Sequence, residues 1–240
     1  MTIKEIEVKG VLSRSKIYDY VVNPYVGCEH ACVYCYARFI KRFTRHSEPW
    51  GRFVDVKVNA PEVLEKEQAR KRKGTVWVSG VCDPYQPIEA RYRVTRRCLE
   101  ILQKGNLSVV IQTKSHLVLR DIDIFKHFPN IEVGLTITTA SEGIRRIFEP
   151  GAPPIKKRLE ALEALYNEGI VTYVMIAPVL PEAEELVDLL ACKVHHVVID
   201  KLNYHYADHV FKRFGLKKVE DVSSLASAFV ARKIPCEVVC

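Results

Sequence analysis

A chain of 240 residues that is 48% hydrophobic and 27% charged, with 11 Gly and 12 Pro, has the balance of one large globular domain or two small ones, which excludes a disordered or fibrous polypeptide. No apolar run approaches the ~20 residues of a membrane span, and the charged Met1 to Lys9 segment has no apolar signal core, so the expectation is a soluble cytoplasmic protein with no membrane partner. Thirty-six Lys and Arg against 29 Asp and Glu leave a net charge of +7, gathered at Arg38 to Arg45, Arg70 to Lys73, Arg91 to Arg97 and Lys212 to Lys218; this fits either a solvated basic face or a polyanionic partner such as nucleic acid.

In chain order, Tyr18 to Val22 reads as a strand, ended by Asn23-Pro24-Tyr25-Val26-Gly27. A helical pattern begins at Tyr36 to Phe39, and Val54-Asp-Val-Lys-Val58 reads as a peripheral extended segment before a helix at Pro61. From there strands alternate with helical periods: strand Thr75 to Ser79, helix Thr95 to Lys104, strand Leu107 to Thr113, short helix Leu119 to His127, strand Ile131 to Thr138. Ile155, Leu159, Leu162 and Tyr166 set an amphipathic helix over Pro154 to Glu168, opened by proline and stopped by Gly169. A strand from Ile170 to Ile176, a helix from Glu182 to Leu190 and a strand from His195 to Asp200 follow. Six strands, each followed by a helix, imply parallel βαβ units and an α/β fold, read as a single domain over 1–240 with short terminal extensions.

Eight cysteines lie at 28, 32, 35, 82, 98, 192, 236 and 240, and three of them fall within eight residues, Cys28-Glu-His-Ala-Cys32-Val-Tyr-Cys35. In a reducing compartment such spacing reads as a metal site. Zinc wants four ligands, commonly two cysteine pairs, and the second pair is missing. Three thiolates suit a [4Fe–4S] cluster with one iron open, which ranks above zinc, and zinc above three inert thiols. His30 is a conceivable fourth ligand, awkwardly placed inside the loop.

Cys28-x3-Cys32-x2-Cys35 with Tyr34 before the last cysteine is the signature of the radical S-adenosylmethionine (SAM) superfamily. Within it the chain resembles the spore photoproduct lyase family and its shorter photolyase-like relatives. The resemblance runs from about Tyr18 to Ile199 and includes Ser79-Gly-Val-Cys-Asp-Pro-Tyr-Gln-Pro-Ile-Glu89, Gln112-Thr-Lys-Ser115, Leu135-Thr-Ile-Thr-Thr139, Phe148-Glu-Pro-Gly151 and Ile176-Ala-Pro178. It implies an open (β/α)6 partial TIM barrel of the radical SAM type, which the strand count supports, with the chemistry at the C-terminal strand ends.

The chemistry implied is reductive cleavage of SAM into methionine and a 5′-deoxyadenosyl radical, with SAM on the iron left open by Cys28, Cys32 and Cys35. It also implies a reducing partner such as a ferredoxin or flavodoxin, and a monomer. By the same resemblance Lys114, at the end of an apolar strand, pairs with the SAM carboxylate and Thr136 bonds its head or ribose; Thr138 alternates with Thr136 on one strand face and is a candidate for the same contact, and Ala177 offers its backbone to the adenine. Tyr34 is expected near the adenine and Tyr36 facing the barrel interior; each has the plainer reading of aromatic packing, as the two threonines have that of β-propensity. Spore photoproduct lyases use a cysteine as hydrogen-atom donor in the loop after the equivalent strand. Aligning on Asp83 puts Gly80 at that position and Cys82 two residues on, so Cys82 is the candidate catalytic thiol beside the reading of a buried thiol. Glu89 and Glu149 are expected to anchor basic groups, Arg120, Asp121 and Asp123 to brace the loop after Lys114, and Cys98 to pack. An auxiliary cluster of Cys192, Cys236 and Cys240 and a metal pair of His205 and His209 are weaker alternatives. The function expected is a lyase-like radical enzyme acting on nucleic acid, as in DNA repair. Its rivals are radical modification of RNA, protein or a small metabolite, a non-catalytic Fe–S module, and a zinc protein.

Overall fold

The alternation of β-branched runs with amphipathic periods becomes a strand–helix backbone. A computed structural model of the chain describes residues 1–70 and 73–239. They form two compact units: Met1–His30, Ala37–Thr113 and Leu117–Glu132 make the first, and Ala31–Tyr36, Lys114–His116 and the chain from Val133 onward make the second.

The first unit holds β1 (Thr2–Ile6), β2 (Leu12–Arg14), β3 (Tyr20–Val22), β4 (Tyr25–Val26), β5 (Phe53–Lys57), α1 (Ala60–Gln68), β6 (Thr75–Val78), α2 (Glu89–Tyr92), α3 (Val94–Leu102), β7 (Ser108–Thr113) and α4 (Ile122–Phe125). β3, β6 and β7 lie parallel, with Val22 opposite Val78 and Val78 opposite Ile111, and β2 runs antiparallel along β3. Val22, Val76, Val78, Val109 and Ile111 are buried, as the apolar strands of a parallel sheet require. α3 buries Val94, Cys98 and Leu102 one above another, so Cys98 is the packing residue its spacing suggests.

The Val54–Val58 segment is not peripheral. It forms β5, whose residues Phe53 to Val56 are all buried, at the centre of a three-stranded sheet in the order β1-β5-β4. β1 pairs with it in parallel from some fifty residues away, Thr2 opposite Phe53, a partnership no local pattern reveals. Its one acidic residue, Asp55, is met by His46 Nε2 at 2.8 Å. β5 also explains Gly27: its φ is +86°, and a Cβ there would stand 2.4 Å from the Phe53 carbonyl oxygen.

β8 (Ile131–Thr136) leads into the second unit, followed by α5 (Glu142–Phe148), α6 (Ile155–Asn167), β9 (Val171–Ile176), α7 (Leu186–Leu189), β10 (His196–Asp200), α8 (Asp208–Phe214), α9 (Ser223–Ala231) and β11 (Cys236–Val239). The strands follow in the order β8-β9-β10-β11, and β10 is parallel to both β9 and β11. Gly134 is required in β8, because a Cβ there would fall 2.1 Å from the Tyr173 ring. The helix expected over Leu119 to His127 is split into a 3-10 turn, His116–Asp121, and α4, while the one expected over Glu182 to Leu190 shrinks to α7. α6 has the expected span, but its buried face is Ile155, Arg158, Ala161, Leu162 and Leu165, so a guanidinium occupies a position the periodicity gave to Leu159. Among the described residues no helix is long and apolar enough to cross a membrane.

Candidate functional site around the cysteine loop and Glu149

Cys28 and Cys32 are buried and Cys35 is half-buried. The loop's second half belongs to the second unit, where the Cys35 N–H donates to the Cys32 carbonyl at 3.2 Å and the Val33 N–H to the Phe148 carbonyl at 2.9 Å. Cys32 and Tyr34 pack into an apolar cluster with Ile144 and Phe148 of α5, Leu180, and Ala207, Val210 and Phe211 at α8. Burial pushes the Cys32 thiol up to about 12, against the pull of Lys114. Among the described residues no three His, Cys, Asp or Glu side chains are gathered into a metal-holding group. The donor set itself fits an iron–sulfur cluster: three thiols in one short loop, two of them buried, and Cys32 in an apolar cluster where a thiolate is stable only beside a metal or another cation.

Four side chains converge on Glu149, which is fully buried. The Tyr34 hydroxyl donates to Glu149 Oε1, and the Thr138 hydroxyl donates to the same oxygen at 3.0 Å. Lys114 Nζ lies 3.9 Å from Oε1 and 5.7 Å from the centre of the Tyr34 ring. Arg158, buried on α6, meets Oε2 at 2.6 Å and donates to the Thr136 carbonyl at 3.1 Å and the Pro153 carbonyl at 3.0 Å. Burial alone would raise the Glu149 carboxyl, but Arg158 and Lys114 outweigh it and hold it down at about 2. Glu149, Arg158 and Lys114 together carry a net +1, so the group can accept an anionic substituent at modest electrostatic cost.

Four of the residues singled out from sequence, Tyr34, Lys114, Thr136 and Thr138, are thus joined through one carboxylate and one guanidinium. Thr136 joins through its carbonyl, and Thr138 spends its hydroxyl on Glu149. Arg158 was missed; its signal was a charged residue three positions after Ile155 on the apolar face of a helix. Ala177 sits at the end of β9, joined to Pro178 by a cis peptide bond. Tyr36 is a surface-accessible ring. It is 38% exposed and stacked on Tyr204, with ring centres 6.1 Å apart, because the 3-10 turn Tyr36–Phe43 gives its buried position to Ala37.

Cys82 lies in the first unit, on the loop after β6. Its Sγ is 2.9 Å from Ser79 Oγ, and Asn23 Oδ1 orders that loop by accepting from the Ser79 hydroxyl at 2.8 Å, the Gly80 N–H at 2.9 Å and the Val81 N–H at 3.0 Å. Burial pushes the Cys82 thiol up to about 11. A Cβ on Gly80 would stand 3.2 Å from Trp77 and 3.3 Å from Val21, so a side chain there would be crowded. His30 is buried with Nε2 at 3.1 Å from Asp83, and Asp83 also accepts from the Thr113 hydroxyl at 2.6 Å and the Tyr85 N–H at 2.9 Å. His30 thus meets Asp83 through Nε2. His205 bonds Asp208 at 3.0 Å, Cys192 is exposed, Cys236 is half-buried, and Cys240 lies outside the described residues, as do Lys71 and Arg72 of one basic cluster.

Comparison with known proteins follows the same outline. An uncharacterized protein of Methanocaldococcus jannaschii is 41% identical over 183 residues, covering 75% of this chain and 68% of that protein. A protein of Pseudomonas phage M6 named radical SAM Nα-GlyT isomerase is 24% identical over 220 residues, 85% of this chain and 45% of its own. In three dimensions the chain is similar to a spore photoproduct lyase variant with bound AdoMet and dinucleoside spore photoproduct, with a TM-score of 0.72 at 14% identity over 98% of this chain and 80% of the lyase. That likeness shows the fold, the open (β/α)6 partial barrel of radical SAM enzymes, whose cofactors are a [4Fe–4S] cluster and SAM. With the profile of the Radical SAM superfamily matching residues 22–191, the chain belongs to the radical SAM superfamily.

Proposed function

We propose that this chain is a radical SAM enzyme that acts on nucleic acid, with chemistry of the lesion-lyase type and all of 1–240 working as one catalytic core. Cys28, Cys32 and Cys35 would hold the [4Fe–4S] cluster. With SAM bound, the cluster would supply a 5′-deoxyadenosyl radical able to abstract hydrogen from an unactivated carbon. The observation that carries the cofactor part of the reading is the Glu149 group. Lys114 is held within 3.9 Å of a carboxylate that Arg158 already neutralises, so it can pair with the SAM carboxylate without abandoning a buried acid. Glu149 in turn fixes Tyr34, next to Cys35, and Arg158 fixes the end of β8 through Thr136. Thr136, Thr138 and the backbone of Ala177 complete the cofactor contacts, and Tyr36 borders them.

Cys82 is the proposed hydrogen-atom donor. Only the protonated thiol has an S–H bond to give, and burial keeps this thiol protonated at neutral pH. Its S–H would break as a C–H forms on the substrate radical; the thiyl left on sulfur returns to a thiol with an electron from the ferredoxin or flavodoxin partner and a proton. Nucleic acid as the substrate class is supported by the net charge of +7, and by the dinucleoside held by the lyase of the same fold.

Anaerobic reconstitution, dithionite reduction, addition of SAM and mass detection of 5′-deoxyadenosine test the reading. Product is expected, raised by irradiated DNA, and abolished in the Cys28→Ala/Cys32→Ala/Cys35→Ala variant. A full [4Fe–4S] complement that yields no 5′-deoxyadenosine, with or without DNA or RNA, would overturn it.

A further inference from the structure

Tyr36, Tyr204 and Tyr206 form a ladder on the surface of the second unit. Tyr36 and Tyr204 have ring centres 6.1 Å apart at 19°, and Tyr204 and Tyr206 5.9 Å apart at 14°, with all three side chains in contact with solvent. Large aromatics left near-parallel in water forfeit burial, and such strips mark contact surfaces. The ladder has two further properties. Tyr36 directly follows Cys35, and the segment bearing the other rings is anchored to the same loop, since Ala207, Val210 and Phe211 bury Cys32 and Tyr34 while Leu202 and Leu216 pack against that cluster. The surrounding chain is also strongly basic: Lys201, Lys212, Arg213, Lys217 and Lys218 stand against a single acid, Asp208, between positions 201 and 218. Asp208 is itself taken by Lys218 at 2.6 Å.

Aromatic faces beside excess positive charge are what unpaired nucleobases on a phosphate backbone bind, stacking on the rings while cations follow the strand. We propose that the Tyr36–Tyr204–Tyr206 ladder is a stacking platform for unpaired bases of a DNA strand, which it holds beside the cysteine loop. This rests on the nucleic-acid reading above and adds to it how the substrate is held. Tyr204 and Tyr206 lie beyond residues 22–191, the stretch shared with the superfamily profile, so the platform would be a substrate device attached to the common core.

The test compares fluorescein-labelled oligothymidylate with an abasic oligomer of equal length and charge, by anisotropy, on the reconstituted full chain. Stacking predicts that the thymidylate binds about tenfold more tightly than the abasic strand. A Tyr204→Leu/Tyr206→Leu variant should erase that difference while keeping the cluster's visible absorption and the melting temperature, and a Tyr204→Phe/Tyr206→Phe variant should retain it. Equal binding of the two oligomers to the unaltered chain would overturn the platform and leave the nucleic-acid reading standing on charge alone. A difference that survives the leucine variant would place stacking elsewhere and also overturn it. No binding of either oligomer would overturn the nucleic-acid reading and the platform together.

Discussion

Glu149 of the second unit and Glu89 of the first are both fully buried, and each meets a guanidinium at 2.6 and 2.7 Å respectively; what surrounds them differs. Glu89 accepts from the Tyr25 hydroxyl, from the backbone N–H groups of Thr95 at 3.0 Å and Arg96 at 3.2 Å, and from Arg120. Its neighbour Asp121 takes Arg120 at 2.7 Å, Arg96 at 2.8 Å and the Tyr85 hydroxyl at 3.0 Å. Two buried acids face two arginines there, nearly every polar atom of the two carboxylates is spoken for, and the result is a brace between α2, α3 and the turn before α4. Glu149 instead is one carboxylate facing both Arg158 and Lys114. A balanced network closes on itself; an unbalanced one retains capacity for a further anion.

The largest effect expected follows from that imbalance. Glu149→Gln takes from buried Arg158 the carboxylate it meets, and from Lys114 a nearby one, and should cost about 3–5 kcal/mol in urea unfolding, with part recovered in a Glu149→Gln/Lys114→Met double variant. The pH dependence has a definite sign. The Glu149 carboxyl is held near 2 in the fold against an ordinary 4.5, so its contribution is fully present above 4.5 and is lost as pH falls from 4.5 toward 2. The acid-side decline of the urea midpoint should flatten in Glu149→Gln; an unchanged decline would mean that the carboxylate is not held by its two cations.

Glu89→Gln sharpens the contrast. Arg120 keeps Asp121, so no cation is stranded, and the loss should be about 2 kcal/mol, that of hydrogen bonds to a charged acceptor. SAM affinity should be unaltered, since nothing in this network carries spare charge. Should Glu89→Gln cost as much as Glu149→Gln and abolish SAM binding, the distinction between brace and anion site fails.

The two networks were not equally legible in the sequence. Glu89 reads in the sequence as an anchor for a basic group, and Arg120, Asp121 and Asp123, gathered in one short segment, as a brace for the loop after Lys114. Glu149 was visible as an anchor, but its main partner was hidden because Arg158 sits on a face that periodicity assigns to apolar residues, and only the packed helix shows that the guanidinium points inward. The six strand–helix repeats were readable because each carries its own apolar period. β1 was not, since Thr2–Ile6 carries two charged residues in five and becomes a strand by pairing with β5. No local pattern marks Tyr204 and Tyr206; their stacking depends on Tyr36, far away in sequence.

The outer edge of the first network supplies the smallest effect. Asp123 takes the far side of Arg96 at 2.7 Å, but its side chain is 61% exposed, and the carboxyl is lowered chiefly by its hydrogen bond to Arg96. A lowered pKa means stabilisation that is present above the ordinary aspartate range and lost below it, yet solvent and salt screen most of it at this exposure, and exposed pairs contribute about 0–1 kcal/mol. Asp123→Ala should therefore cost under about 1 kcal/mol, shrinking further in high salt, because Arg96 still holds Asp121 and Glu100. A salt-insensitive loss comparable to that of Glu89→Gln would show instead that Asp123 belongs to the buried brace. Arg96 would then be outnumbered by acids on its inner and outer sides, and the first network would be unbalanced in the opposite sense to the one around Glu149.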